Sequence, residues 1–150
     1  MTTSWETATP VQILEDFNGL IEETWKASGY AVCPSHMLVA PRKFSMLSRP
    51  ISDAGSMSIL EYVRTQCISN AINGKPLEVH PVKWLTGRGP GGVDRAVAYT
   101  KGEQFVRFPM VPLQRTPVEN RSLYQITTYF GRLGELEFVY PETVGYADGM

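Results

Sequence analysis

The stretch that most constrains this chain is residues 82–109, VKWLTGRGPGGVDRAVAYTKGEQFVRFP. Val82, Trp84 and Leu85 read as an apolar strand end running into a glycine-rich loop, Gly87-Arg88-Gly89-Pro90-Gly91-Gly92. The chain leaves the loop through Asp94-Arg95-Ala96-Val97-Ala98-Tyr99, turns at Lys101-Gly102 and re-enters as Gln104-Phe105-Val106-Arg107-Phe108-Pro109. Two β-rich runs joined by a short Lys-Gly turn predict a hairpin within a β-meander. The glycines also satisfy the spacing G-x-G-x-x-G of a dinucleotide-binding turn. Such a turn needs a helix after it, because amides at a helix N-terminus hold the pyrophosphate. Here Val93–Tyr99 is β-branched and aromatic and Pro90 interrupts the pattern, so a strand is expected. The loop is read as structural, and no cofactor is assigned to it.

Upstream, residues 1–8 are polar and are expected to fray. Thr9, Pro10 and Gln12 then form a helix start, with Thr9 as cap, Pro10 at the first position and Gln12 reaching back. Ile13, Leu14, Phe17, Leu20, Ile21 and Trp25 follow as one stripe at helical spacing, and Ser28-Gly29 ends the helix. Tyr30-Ala31-Val32 and Met37-Leu38-Val39 are strand-like. Ala40-Pro41 opens a short helix carrying Phe44 and Leu47, and residues 48–56 read as loop. Ser58-Ile59-Leu60-Glu61 starts a helix whose apolar positions are Ile59, Leu60, Val63, Cys67, Ile68, Ala71 and Ile72, closed by Asn73-Gly74. Phe17, Leu20, Trp25, Val63 and Cys67 are expected in one core joining the two helices. Leu77, Val79 and Val82 alternate into a strand that Pro81 pushes to a sheet edge. Beyond it, Met110–Pro117 is extended, Leu123–Phe130 is β-rich, Gly131–Gly134 is a turn, and Glu135–Tyr140 alternates again. The order predicts an α+β fold, a small mixed sheet flanked by helices with a β-rich C-terminal tail.

A net charge of −1 leaves no electrostatic footprint for nucleic acid. No apolar run reaches the ~20 residues of a membrane helix. Two cysteines make no disulfide framework, so a reducing interior is expected. Cys33, His36, Cys67 and His80 supply the atoms of a zinc site, but not the paired knuckles that such sites favour. Cys33 with His36 or His80 would be a nucleophile pair only with an orienting carboxamide or carboxylate and an oxyanion site. Ala54-Gly55-Ser56-Met57-Ser58 lacks the second glycine of a nucleophile elbow. The carboxylates Glu22-Glu23 and Glu135/Glu137 read as solvated faces. No catalytic or metal site and no small-molecule substrate are assigned.

The order of motifs resembles the C-terminal half of the tailed-bacteriophage major capsid (coat) protein family, in particular of prophage coat proteins. The residues that carry this are Trp84-Leu85, Gly91-Gly92-Val93-Asp94-Arg95 leading into Val97-Ala98-Tyr99, Phe108-Pro109, Gly134, Tyr140-Pro141, and Tyr146–Met150. In the first half they are Ala27-Ser28-Gly29-Tyr30, Met37–Pro41, Phe44, Leu47, and Ser58–Tyr62. The resemblance implies the tailed-phage major capsid fold, also used by encapsulin shells. Residues 1–113 would be the axial domain, and 114–150 the returning strands of the peripheral domain. It implies a structural virion protein, made in the bacterial host cytoplasm and built into the capsid, that is not an enzyme. Its partners would be copies of itself in pentamer and hexamer rings, or the N-terminal half of a capsid protein, with no specific nucleic acid and no membrane. Gly87, Arg88, Gly89, Pro90, Gly91 and Gly92 would form a mobile loop at the assembly axis. By the resemblance, the family's N-terminal arm, extended loop and spine helix would precede the region seen here. The tail is therefore expected to bury itself mainly against another chain or against that N-terminal half, and only partly against its own domain. The alternatives are a small cytosolic enzyme using Cys33 or Cys67, and a monomeric binding module.

Overall fold

The computed structural model describes residues 4–52, 55 and 57–149. In chain order the helices and the sheet strands among them are α1 (Pro10–Ala27), β1 (His36–Val39), α2 (Pro41–Met46), α3 (Ile59–Gln66), α4 (Ile68–Asn73), β2 (Glu78–Pro81) and β3 (Arg95–Tyr99). They continue with β4 (Val106–Arg107), β5 (Met110–Arg115), β6 (Glu119–Arg121), β7 (Tyr124–Ile126), β8 (Tyr129–Leu133), β9 (Glu137–Phe138) and β10 (Val144–Asp148). The elements divide into two compact units, Met1–Lys101 with Tyr140–Met150, and Gly102–Val139. The division expected after Leu113 coincides with neither limit, because β5 runs straight through it.

The first unit is built on a four-stranded sheet in the order β10-β3-β1-β2. β1 and β2 are parallel and the other pairs antiparallel, so the sheet is mixed. Cross-strand partners share a face. Met37, Val79, Ala98 and Gly145 therefore line one side with Ala96 and Ala147, against the helices. His36, Glu78, His80, Tyr99, Arg95, Tyr146 and Asp148 line the other. The core between sheet and helices holds Ile13, Phe17, Leu20, Ile21, Val63 and Cys67, with Trp25 partly buried against it. The two-helix core is as expected.

α1 begins where the residues require it. Thr9 Oγ1 accepts from the Gln12 amide at 3.4 Å, and Gln12 Oε1 accepts from the Thr9 amide at 2.9 Å, a reciprocal cap that satisfies two orphan donors. It ends at Gly29, whose φ of 67° is left-handed. Tyr30 is left-handed too, with φ 63°, which forbids the strand expected at 30–32. Its ring instead meets Trp25 edge-on at 5.0 Å. The N-terminal residues 4–8 do not fray. Trp5 is 1% exposed, stacks on Phe17 at 5.1 Å, and donates its Nε1–H to Asp16 Oδ2 at 2.9 Å.

The expected single helix after Ser58 is two. Ser58 Oγ caps α3 by accepting from the Glu61 amide at 3.2 Å. Cys67 is extended, with ψ 161°, and separates α3 from α4. The break turns α4 so that Ser69 is buried and its hydroxyl donates to Pro34 O, while Ile68 and Ile72 lie exposed. Asn70 Oδ1 then accepts from the Leu77 amide at 2.7 Å, which fixes the approach to β2.

The tail does not behave as one piece. β10 pairs along its whole length with β3 and forms one edge of the sheet. β3 therefore has β1 on one side and β10 on the other, and no edge remains for the hairpin expected with residues 104–108. β4 pairs with β9. Pro81 does end an edge strand, as expected, but Val82–Leu85 is not a strand end: Lys83–Leu85 is a 3₁₀ turn.

The second unit is a single long hairpin, with nested antiparallel ladders β4/β9, β5/β8 and β6/β7. Its tip turns at Ser122, whose φ of 55° is left-handed. Gly131, expected in a turn, sits inside β8 opposite a bulge between Val111 and Gln114. A Cβ there would lie 3.5 Å from Leu113 Cδ1, in ordinary contact, so the leucine lies over this position. At about 3.3 Å per residue each arm reaches on the order of 50 Å.

Candidate assembly surfaces

The glycine loop is held at its ends. The Gly89 amide donates to Val93 O at 2.7 Å, the Gly87 amide to Asp94 Oδ1 at 3.0 Å, and the Gly149 amide to Asp94 O at 3.1 Å. Gly89 is buried, and a Cβ on it would stand 2.6 Å from Val93 Cγ2 and 2.9 Å from Asp148 Oδ1. Gly87, Gly91 and Gly92 are left-handed, so the loop needs glycine for two separate reasons. Strand β3 follows it, as the residues predict, and not a helix. Gly87, Arg88, Pro90, Gly91 and Gly92 are exposed, beside Trp84 at 67% exposure. The Lys83 ammonium lies 4.3 Å above that indole.

Two polar groups sit on the sheet face away from the helices. Arg95 holds Asp148 in a bidentate pair, Nε–Oδ1 2.6 Å and Nη2–Oδ2 2.9 Å, which ties the end of β10 to the start of β3. This pair lowers the Asp148 carboxyl below its usual range and raises the guanidinium. In the second group, His36 Nε2 and His80 Nε2 each lie 3.2 Å from Glu78 Oε2. The His80 contact is a hydrogen bond, whereas His36 Nε2 is buried without the alignment of one. His36 Nδ1 meets Ser35 Oγ at 2.8 Å. Burial, more than any neighbouring charge, pushes the His36 pKa down, and the His80 hydrogen bond with the His36 charge pulls that of Glu78 down.

The cysteines are elsewhere. Cys33 and Cys67 are free and buried on the core side, and burial raises both thiols. A nucleophilic cysteine needs the opposite shift. The four residues of the zinc pattern are thus split, the sulfurs toward the core and the imidazoles on the opposite sheet face. Among the described residues no group of three or more His, Cys, Asp or Glu is arranged to hold a metal ion. No helix among them is long and apolar enough to cross a membrane.

The surfaces that stand out are apolar. No residue of the hairpin Gly102–Val139 is buried. Leu113, Leu123, Tyr124 and Leu133 are 72%, 92%, 74% and 72% exposed, and Met110, Tyr129, Phe130 and Leu136 are at least half exposed. A two-stranded ribbon is marginal in water by itself, and exposed apolar patches of this extent mark interaction sites. The apolar complement of this segment is plain in the sequence. Its arrangement as one long hairpin is not, because the pairing of β5 with β8 depends on a bulge that no turn residue announces.

A second surface feature lies in the first unit. Between α1 and the edge strand β10 is a groove of about 270 Å³ lined by Glu15, Asp16, Glu23 and Asp148, with Leu20 and Tyr146 among its apolar wall. Sequence reasoning missed it, since it joins residues near 16 with residues near 148, and no local pattern brings those together.

Comparison with known proteins agrees with the expected fold. The sequence model described as major capsid protein matches residues 1–150. No curated protein matches. Among solved structures, a chain of "The capsid of Myoviridae Phage XM1" superposes with a TM-score of 0.74 at 17% identity, covering 99% of this chain. The chain spans about half, 49%, of the length of that phage chain. At this identity the match speaks for the fold.

Proposed function

The chain belongs to the major capsid protein family, and from that premise we propose that it is a wall element of a phage shell, working through contacts with copies of itself and not through catalysis. The observation that carries the reading is the hairpin Gly102–Val139, which exposes large apolar side chains along its length and has no buried residue. A lone soluble domain gains nothing from such a surface, and a subunit enclosed by neighbours does. Both thiols are buried and burial raises them, which leaves the cysteine-enzyme alternative without support.

The finer reading puts the loop Gly87–Gly92 at the axis of five- and six-membered rings, within the unit that holds it. The exposure of Trp84 next to the loop supports a contact there. A segment corresponding to the part of the phage chain outside the match is a second proposed partner for the apolar hairpin. Place of action follows: the virion, after assembly in the bacterial cytoplasm. Negative-stain imaging of the purified chain over a concentration series tests the proposal. Rings or shell pieces are expected, and a monomer at every concentration would overturn it.

A further inference from the structure

Partner residues across an antiparallel ladder share a face. In β5/β8 the pairs Met110–Leu133 and Arg115–Tyr129 therefore lie on one side of the hairpin, and Val111–Arg132 and Gln114–Phe130 on the other. Leu113 joins the first side, since it lies over Gly131. That side is an exposed apolar strip, Met110, Leu113, Tyr129 and Leu133, whose charge is the guanidinium of Arg115.

The groove between α1 and β10 is its chemical complement. All four of its charged residues are acids. Asp16 already accepts from Trp5 and Asp148 is paired with Arg95, but Glu15 and Glu23 are exposed and paired with no base among the described residues. Leu20 and Tyr146 supply apolar wall. β10 is an edge strand, so one row of its backbone groups faces away from the sheet and is open to a further strand. At about 270 Å³ the groove falls just below the ~300–1,000 Å³ typical of small-molecule sites.

We propose that the Arg115 face of the hairpin of one copy docks in the acidic α1/β10 groove of a second copy. The inference rests on the shell reading and specifies which surfaces make its contact. The two surfaces are different, so the contact is head-to-tail. Repeated, it builds rings or open chains of copies and not two-fold dimers.

Charge exchange tests it on the full chain by sedimentation velocity. Arg115→Glu should raise the concentration for half-association at least about tenfold, since like charges set against each other disfavour an interface strongly. Arg115→Gln should fall between it and wild type. Glu15→Arg/Glu23→Arg should weaken association as well. An equimolar mixture of the Arg115→Glu and Glu15→Arg/Glu23→Arg chains should recover it, because each then offers the other an opposite charge at both contacts. All these positions are exposed, and unchanged melting temperatures show the fold intact. If wild type associates but Arg115→Glu associates equally, or if the mixture stays as weak as its components, the docking is wrong and the shell reading stands. If wild type stays monomeric, the shell reading fails and the docking with it.

Discussion

Replacing Gly145 with alanine should loosen the junction between the first helix and the last strand. Gly145 pairs with Ala98 in the β10/β3 ladder, and the space a side chain would fill is taken by α1. A Cβ built there stands 1.9 Å from Thr24 Oγ1, 3.1 Å from Thr24 Cβ and 3.2 Å from Leu20 Cδ1. Thr24 is buried and its hydroxyl donates to Leu20 O at 2.7 Å, so rotating it away breaks a buried hydrogen bond worth about 1 kcal/mol. Adding ~1–3 kcal/mol of overpacking, the gross cost is ~2–4 kcal/mol. The entropy that alanine removes from the unfolded chain offsets ~0.4–1 kcal/mol. A net loss of ~1–3 kcal/mol lowers the melting temperature by roughly 2–12 °C in a domain of this size. Thermal melting of Gly145→Ala, Thr24→Ala and the double variant separates the causes. Thr24→Ala removes the oxygen that the new methyl would strike but leaves its Cβ and Leu20 close, so the double variant should lose less than the sum of the single losses, a coupling of about 1 kcal/mol. Costs that add within ~0.5 kcal/mol, or a Gly145→Ala chain as stable as wild type, would refute the seating of β10 on α1.

Two further outcomes follow from the titrating groups. Burial holds the folded His36 pKa below its ordinary value of about 6.5. The unfolded chain therefore takes up that proton first, and stability should fall as pH drops from about 6.5 toward the folded pKa. Glu78, held low by His80, adds a loss below its own ordinary range. His36→Gln should flatten the upper part of a melting-temperature profile between pH 7 and pH 5, and an unchanged slope would contradict the account. Cys33 and Cys67 should react with a disulfide reagent at neutral pH only at the rate of unfolding, and both promptly in denaturant. Prompt native reaction of either would speak against the burial described here.

How far the residues themselves foretold this fold differs by element. Local chemistry was readable: Thr9 and Gln12 declared the start of α1, Gly29 its end, Ser58 the cap of α3, and Pro81 the edge strand. The Gly87–Gly92 loop leading to a strand was readable for the same reason, since β-branched residues after glycines oppose a helix. What failed was long-range pairing. Nothing near Arg95–Tyr99 says that its second neighbour is Val144–Asp148, some 50 residues on, instead of the run just after Gly102. Trp5 was discounted because its neighbours are polar, although an indole in a polar terminus is itself a packing signal. The break at Cys67 is set by Ser69 and Asn70 bonding to distant backbone, which periodicity cannot register. The acidic groove was invisible for a like reason, being assembled from the two ends of the chain.

The central claim is that the chain works by joining copies of itself and that the hairpin is where it does so. The direct measurement is sedimentation velocity of the full chain beside one in which Gly102–Val139 is replaced by a short Gly-Ser linker. Tyr99 and Val144 are cross-strand partners, so such a linker spans the gap without strain on the sheet. The full chain should form concentration-dependent assemblies, and the excised chain should melt as the first unit does yet sediment as a monomer. A full chain that remains monomeric, or an excised chain that assembles as well as the full one, would contradict the account.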